Sequence, residues 1–445
     1  MRTSSKSVDK QTDAAPSTFR AWYILTLLCL LFALSFIDRN MLALVVAPVS
    51  DDLGINDRQI GLLLGAGFAV VYAIGGLPLA HLIDQYQRRM ILIVGTCFWS
   101  LCTILTAFVT TFAALALCRA GVAIGEAVLT PAAVSLIADL YVKEKRALPI
   151  SFYGAIGAVM GVGSFIVGAA ALQMATAIDV DGFAAWRLAF ILIGIPGFGI
   201  ALLLLLTVRE PERTGSKEIA SRKSKKANTG EFFNFLVSQR RFFIPYYLAT
   251  GLWAMCSLGM VLWLPTFLVR GFAVDQAQAG YLFGAVGATA ALTGTLFWPQ
   301  FANRKEKAGR KDGIVWAYFL STIIGTPLII LAPLSSSLPM LLVLYALGIT
   351  MLSTGGSLTP MAMQAYGPQR MRGRLMALSL MFTSLVGYMV GPSLTEYIAS
   401  FWGTDPFALG YGLAIMSAIG GTLSIILLHF ARRALLTSDL LEHID

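Results

Sequence analysis

The sequence predicts an all-α membrane protein, with 12 transmembrane helices arranged as two pseudo-symmetric six-helix bundles. Three observations lead there. Hydrophobic residues make up 57% of the 445 residues and charged residues only 13%, with a mean hydropathy of +0.74, far from the balance of soluble domains. Apolar runs of membrane-spanning length recur six times, then six times more after one polar stretch. Lysine and arginine gather at alternate ends of these runs.

The first run extends from Trp22 to Val49. As one helix at ~1.5 Å per residue it would be about 42 Å long, enough to cross a ~30 Å hydrocarbon layer with tilt. The next five are Ile60 to Ile83, Met90 to Thr111, Ala113 to Leu140, Ile150 to Ala175 and Trp186 to Val208. The second set comprises Phe242 to Val269, Ala279 to Phe301, Ile314 to Pro333, Met340 to Gln364, Leu375 to Ala399 and Phe407 to Phe430. Glycine and proline inside these runs do not argue against helices, because neighbouring helices in a bundle re-satisfy the freed backbone groups.

Orientation follows from the basic residues. One side collects Arg2, Lys6, Lys10 and Arg20, the pair Arg88 and Arg89, Lys143 to Arg146, the basic loops around Arg304 to Lys311 and Arg370 to Arg374, and Arg432 and Arg433. The other holds only Arg58, Arg187 and Arg270. The positive-inside rule then puts both termini in the cytoplasm, in a multi-pass protein expected in the inner (plasma) membrane. The net charge of +9 is thus a topology signal, and no nucleic-acid partner is expected, since the charge is spread along loop margins.

The expected organisation is a cytoplasmic tail over residues 1–20, an N-terminal bundle over 21–208, a cytoplasmic linker over 209–241, a C-terminal bundle over 242–432 and a cytoplasmic tail over 433–445. Within the linker, Thr214 to Thr229 reads as a solvated tether, and "EFFNFLVSQRRFF" can lie on the membrane surface as a short amphipathic helix. A repeat supports the two bundles: "AVLTPAAV" (Ala127 to Val134) matches "GSLTPMAM" (Gly356 to Met363) at an offset of 229 residues, each copy in the fourth run of its set. Parallel repeats of this kind are a transporter design with the substrate site between the halves. Gly157 and Gly161, and Gly387 and Gly391, have the spacing for close helix packing, and a hinge role is equally open.

The halves differ in buried charge. Asp38 and Arg39 fall at the middle of the first run, and the fourth carries Arg119 and Glu126 on one helical face. The repeat partners of Arg119 and Glu126 are Gly348 and Gly355, and the C-terminal spans offer Trp253, Trp263, Phe283, Tyr345, Met351, Met361 and Tyr388 instead. Each charge at bilayer centre costs about 2.5 to 3.5 kcal/mol, so four imply mutual pairing or a wet cavity. Arg39 with Glu126 is the expected pair, while Asp38 points away around the helix. A structural lock would need only one pair, so surplus acids and bases point to function. Burial favours the neutral form of an acid and a nearby arginine favours the charged form, which makes Asp38 and Glu126 the expected proton carriers. Arg39, Arg119 and Glu126 are the expected substrate contacts.

Other chemistries have no support. Cys29, Cys97, Cys102, Cys118 and Cys256 lie in apolar runs and read as packing residues. The three histidines form no metal-ligand cluster, no ATP-binding motif is present, and no nucleophile has a histidine partner within a run. No cofactor and no enzymatic activity are expected. The polar first 20 residues do not read as a signal peptide.

With "GLPLAHLIDQYQRR" between the second and third runs, the chain resembles the major facilitator superfamily. Asp84, Arg88 and Arg89 match its G-x-L-x-D-R-x-G-R-R pattern, whereas Ala80, Gln85 and Gln87 depart from it. The resemblance implies a cytoplasmic gate of Asp84, Arg88 and Asp139, with Arg372 or Arg374 contributing from the other half. More narrowly, "FIDRNMLALV", "RAGVAIGEAVLTPAAVSLIADLYVKEKRA", "SFYGAIGAVMGVGSFIVG" and "WRLAFILIGIPGFGIALLLLLTVREPER" resemble the Spinster family. That resemblance implies proton-linked alternating access and an amphiphilic cargo such as a lysolipid or a sphingosine-phosphate-like molecule, with Asp38, Arg39, Arg119 and Glu126 as head-group and proton site. A proton-linked symporter of small organic anions, such as sugar acids, is the alternative. Expected partners are the lipid bilayer, protons and a small amphiphilic or anionic substrate, around a monomer.

Overall fold

A computed structural model describes residues 18–142, 145–211, 229–438 and 440, without the side chains of Thr18, Leu77, Ala80, Asp84 and Thr229. Among the described residues, twelve helices are long and apolar enough to cross a membrane. Spans 1 to 6 are Phe19–Leu44, Asp57–Ile83, Arg88–Thr106, Phe112–Leu140, Ala147–Ile178 and Ala185–Thr207. Spans 7 to 12 are Arg240–Phe272, Gln276–Lys307, Gly313–Leu334, Leu338–Tyr366, Arg372–Trp402 and Ala408–Leu436. The two sets form the N-terminal and C-terminal halves. Span 1 begins, and span 12 ends, on the face that carries the basic loops, called here the basic face.

Several spans are interrupted, and the sequence explains where. The first apolar run is not one helix to Val49: the helix Thr18–Leu44 ends and a short helix Val46–Leu53 follows. Pro48 is the cause, since it has no N–H for the carbonyl of Leu44 and its ring crowds that carbonyl. Gly54, with φ of 61°, then turns the chain in the left-handed region that glycine tolerates best. Asn56 starts span 2 with a capping box, accepting from the Gln59 backbone N–H at 3.0 Å while its own N–H donates to the Gln59 side chain. Span 4 breaks between Glu126 and Leu129, where Pro131 cannot donate to Ala127. In the matching span 10 the break falls at Ser353, about one turn earlier. Span 11 is α-helical to Phe382, π-helical over Thr383–Val390, and α-helical again from Gly391.

The halves meet on the face opposite the basic one. There span 5 packs along span 8, and span 2 against span 11. Glycine makes the first contact close: a Cβ on Gly284 would come within 2.9 Å of the Ile166 backbone nitrogen, and one on Gly280 within 2.8 Å of the Ala169 Cβ. Phe165 of span 5 meets Phe283 of span 8 edge-on at 4.8 Å. Among the described residues, the hydrogen bonds and ion pairs that join the halves all lie on this side. The Thr266 hydroxyl donates to the Ala43 carbonyl at 3.2 Å, one of the carbonyls left over where span 1 ends. The Tyr281 hydroxyl donates to Gln173 Oε1 at 2.8 Å, and Arg270 grips Asp57 through two nitrogens.

The glycine pairs separate by role. Gly387 and Gly391 seat span 11 against Ala254 and Met255 of span 7, and Gly157 faces the ring of Phe32. Gly161 faces open space. The linker between 212 and 228 lies outside the described residues, so the tether expected from Thr214 falls there, whereas Thr229 opens a helix, Thr229–Ser238. That helix buries Phe232, sets Phe235 against Phe243 at 5.6 Å, and exposes Phe233 and Val237. All five cysteines are free thiols.

Candidate functional site

Span 1 carries Asp38 and Arg39 one residue apart, so about 100° of helical rotation sends them to different neighbours. Arg39 turns to Glu126 of span 4, its Nη2 2.6 Å from Glu126 Oε2. Glu126 is the last residue of the first helical segment of span 4, so the break at Ala127 fixes where its carboxylate sits. The ring of Phe68 lies 4.8 Å from the Arg39 guanidinium carbon and that of Tyr72 5.4 Å, so span 2 covers the cation with π faces.

Asp38 turns the other way, into the N-terminal half. Its carboxylate faces Glu126 and Arg119 of span 4 and the Thr103 hydroxyl and Trp99 indole of span 3, and the span 3 donors approach it without a well-aligned hydrogen bond. Arg119 does not touch a carboxylate. Its guanidinium donates to the backbone carbonyls of Asp38, at 3.0 Å, and of Arg39, at 2.9 Å, clamping span 4 to span 1 at these two positions.

Exposure ranks the four. Asp38, Arg119 and Glu126 are at most 3% exposed, whereas the Arg39 side chain retains 16%. Phe36, whose ring lies 5.5 Å from the Arg39 guanidinium carbon, lines a chamber of about 210 Å³ shared by both halves, and Arg39 itself is not among the lining residues. Phe36, Asn40 and Gly161 come from the N-terminal half, and Asn40 is held by the Gly161 carbonyl at 3.0 Å and Ser164 Oγ at 2.9 Å. The C-terminal half contributes Val261, Leu262, Ile349, Leu352 and Tyr388. Most of the aromatic and methionine residues that the sequence offered in this half lie elsewhere. Trp253, Trp263, Phe283 and Tyr345 are core residues, with the Trp253 and Trp263 indoles donating to Thr354 Oγ1 and the Pro392 carbonyl. Met351 and Met361 pack on the same core, so only Tyr388 of that set faces the chamber.

On the basic face, Arg88 is 2% exposed and held by span 4 and by the start of the linker that follows span 6. It pairs with Asp139, binds Glu210 Oε1 at 2.9 Å, and donates to Ser135 Oγ at 3.0 Å and to the Pro211 carbonyl at 3.1 Å. The side chain of Asp84 lies outside the described residues. Arg372 donates to the Gly367 carbonyl at 3.1 Å, and Arg374 lies over the ring of Phe232 at 5.5 Å. The structure therefore joins Arg88 and Asp139 but brings neither Arg372 nor Arg374 to them. Asp312, with Arg310 at 2.9 Å and with Arg432, forms a separate clamp in the C-terminal half. Sequence reasoning missed Glu210, Tyr72, Phe68 and the Asp57–Arg270 pair. The only trace of Glu210 was its place in "REPER", right where the sixth run ends.

Comparison with known proteins agrees with this architecture. The model of the Major Facilitator Superfamily matches residues 28–392. An MFS-type efflux pump of Mycolicibacterium smegmatis is 25% identical over 402 residues, 89% of each chain. The Escherichia coli (strain K12) protein named Probable L-galactonate transporter is 28% identical over 286 residues, 59% of each chain. A solved structure of a bacterial homolog of the human lysosomal transporter Spinster, inward-facing and unoccupied, is 26% identical with a TM-score of 0.81, covering 94% of this chain and 97% of that one. Its twelve spans in two halves, its buried charge pair and this match together place the chain in the Major Facilitator Superfamily, with a full-length likeness to a Spinster homolog.

Proposed function

We propose that the chain is a proton-coupled secondary active transporter that moves an anionic amphiphile, of the lysolipid or sphingosine-phosphate kind, by alternating access. The observation that carries this reading is the position of Arg39, the member of the charged cluster that keeps 16% exposure, against Phe36, which lines a mainly apolar chamber between the halves. An anionic head finds a cation there, and an acyl tail finds Val261, Leu262, Ile349 and Leu352. The full-length likeness is to a homolog of the lysosomal transporter Spinster, the family whose resemblance in the sequence implied this cargo class.

The mechanism is an exchange of partners. Glu126 and an incoming anion compete for the Arg39 guanidinium. When the anion takes Arg39, the Glu126 carboxylate loses its counter-charge in a site with almost no water access and accepts a proton on the freed oxygen. When the proton leaves, Glu126 reclaims Arg39 and the anion is expelled. Asp38 is the second proton site, and Arg119 holds the backbone that sets the spacing of Asp38 and Arg39, contributing positive charge to the head group from behind. The basic face is cytoplasmic, in the plasma membrane, with the protein a monomer. Asp84, Arg88 and Asp139, with Arg372 and Arg374, meet as the inner gate when that face closes.

The test is transport in proteoliposomes with Glu126→Gln. The variant should bind a lysolipid phosphate yet lose transport driven by a pH gradient; transport that still follows the gradient would remove Glu126 from the proton path. A second reading, a proton-linked symporter of small organic anions, is favoured by the likeness to the L-galactonate transporter. Competition by sugar acids with no dependence on acyl-chain length would select it.

A further inference from the structure

Tyr388 sits where two irregular helices cross between the halves. Its own span is π-helical over Thr383–Val390, a wound-out turn that is uncommon and frequent at functional sites. Four residues on, Pro392 cannot donate to the Tyr388 carbonyl, so the backbone there lacks its ordinary helical partner. Opposite, span 2 breaks at Gly65, and a Cβ on Gly65 would come within 2.6 Å of that same carbonyl oxygen. Glycine is therefore what lets the N-terminal half approach Tyr388 this closely. The Trp263 indole donates to the Pro392 carbonyl at 2.9 Å and ties the segment to span 7. The Tyr388 ring lines the chamber, and its phenol lies within electrostatic range of Arg39 and Tyr72.

We propose that Tyr388 is the specificity residue of the C-terminal half, donating its phenolic O–H to the anionic group held by Arg39, so that the cargo's head bridges span 1 and span 11. This rests on the reading of Arg39 as the anion contact. The C-terminal half gives the chamber the hydroxyls of Ser257, Thr295, Ser353 and Tyr388; Ser353 donates to the Thr350 carbonyl at 2.9 Å, and Tyr388 is the one that acts on Arg39, with a phenol that can donate without adding charge. The π-helical turn supplies the freedom for that ring to follow the head as the halves move. Because the contact is made only when an anion is present, it discriminates charge, whereas Val261 and Leu262 discriminate tail.

The experiment compares Tyr388→Phe, Arg39→Ala and wild type in lipid nanodiscs. Binding is measured for a lysophosphatidic acid and for the uncharged monoacylglycerol of the same chain. In Tyr388→Phe the phosphate should bind about tenfold more weakly, as expected for loss of a hydrogen bond to a charged group, with the monoacylglycerol unchanged. Equal weakening of both ligands would mean a packing role, and no weakening of either would mean no contact; both overturn the inference. Arg39→Ala separates the two levels. If it abolishes the preference for phosphate while Tyr388→Phe leaves it intact, only Tyr388 is wrongly assigned. If Arg39→Ala keeps the preference, the reading beneath fails as well. Recovery of phosphate binding in Tyr388→His, which restores a donor, would strengthen the assignment, and failure of that variant alongside a normal monoacylglycerol affinity would count against it.

Discussion

Arg39 and Glu126 form an ion pair across spans 1 and 4 in which the acid is 1% exposed and the cation 16%. The asymmetry matters because the accessible partner is the one a solute can compete for, while the sealed partner is the one that suffers when it is deserted. Replacing Glu126 by Gln should free Arg39 for a tighter grip on an anion, since a charged competitor is replaced by a neutral one. The expected outcome is unchanged or higher affinity for a lysolipid phosphate, by up to about tenfold, as for one charge-assisted hydrogen bond. Isothermal titration at fixed pH checks it, and a large loss of affinity would instead make Glu126 a direct contact.

The clamp around Arg88 is a stability element of the N-terminal half. Its acceptors lie on span 4, at Ser135 and Asp139, and just past span 6, at Glu210 and Pro211, and none comes from spans 7 to 12. Arg88→Ala would leave Asp139 and Glu210 facing each other without their shared cation, a loss of about 3–5 kcal/mol for a buried pair broken on one side. Arg372→Ala, which gives up only a bond to its own loop, should change the thermal midpoint far less. Thermal unfolding of both variants in the same detergent decides it, and comparable midpoints would sink the distinction.

Much of the fold was legible because lipid leaves so few choices: twelve apolar runs can only be helices, and charges inside them have to be paired. Arg39 and Glu126 stood out for that reason. Asp57 and Arg270 did not, since each lies at a helix end where a charge is ordinary, Asp57 in a first turn and Arg270 in a last one. Tyr388 was visible only as one aromatic among many, because periodicity does not tell a chamber wall from a core. The break after Leu44 could have been read from Pro48, whose constraint on the residue four before it is a local rule.

The Asp57–Arg270 pair joins the halves across their outer contact with both partners about one-third exposed. Such a pair contributes about 0.2–1 kcal/mol, so Asp57→Asn should shift the balance between closed and open outer faces by a factor of roughly 1.4 to 5 without unfolding either half. Spin labels at the outer ends of spans 2 and 11 would report a larger share of long distances. High salt should move wild type toward the variant's distribution and leave the variant nearly unchanged, because only wild type has the pair to screen.

Gly284 offers the sharpest test of which surfaces must meet when the outer face closes. It belongs to span 8, yet the atoms a Cβ would strike are the Ile166 backbone nitrogen, at 2.9 Å, and the Ile166 Cγ1, at 2.7 Å, both on span 5 of the other half. Backbone cannot swing aside as a flexible side chain can, so even Gly284→Ala should force the halves apart there, and Gly284→Leu should prevent their contact. Each half keeps its own core, because the clash arises only between halves, and expression and thermal stability should stay near wild type. Thiol labelling of single cysteines placed along the outer mouth should become faster in Gly284→Leu, while labelling from the basic face slows. Should labelling remain as in wild type, the packing of span 5 on span 8 is not what seals the outer side, and closure rests on span 2 with span 11 instead.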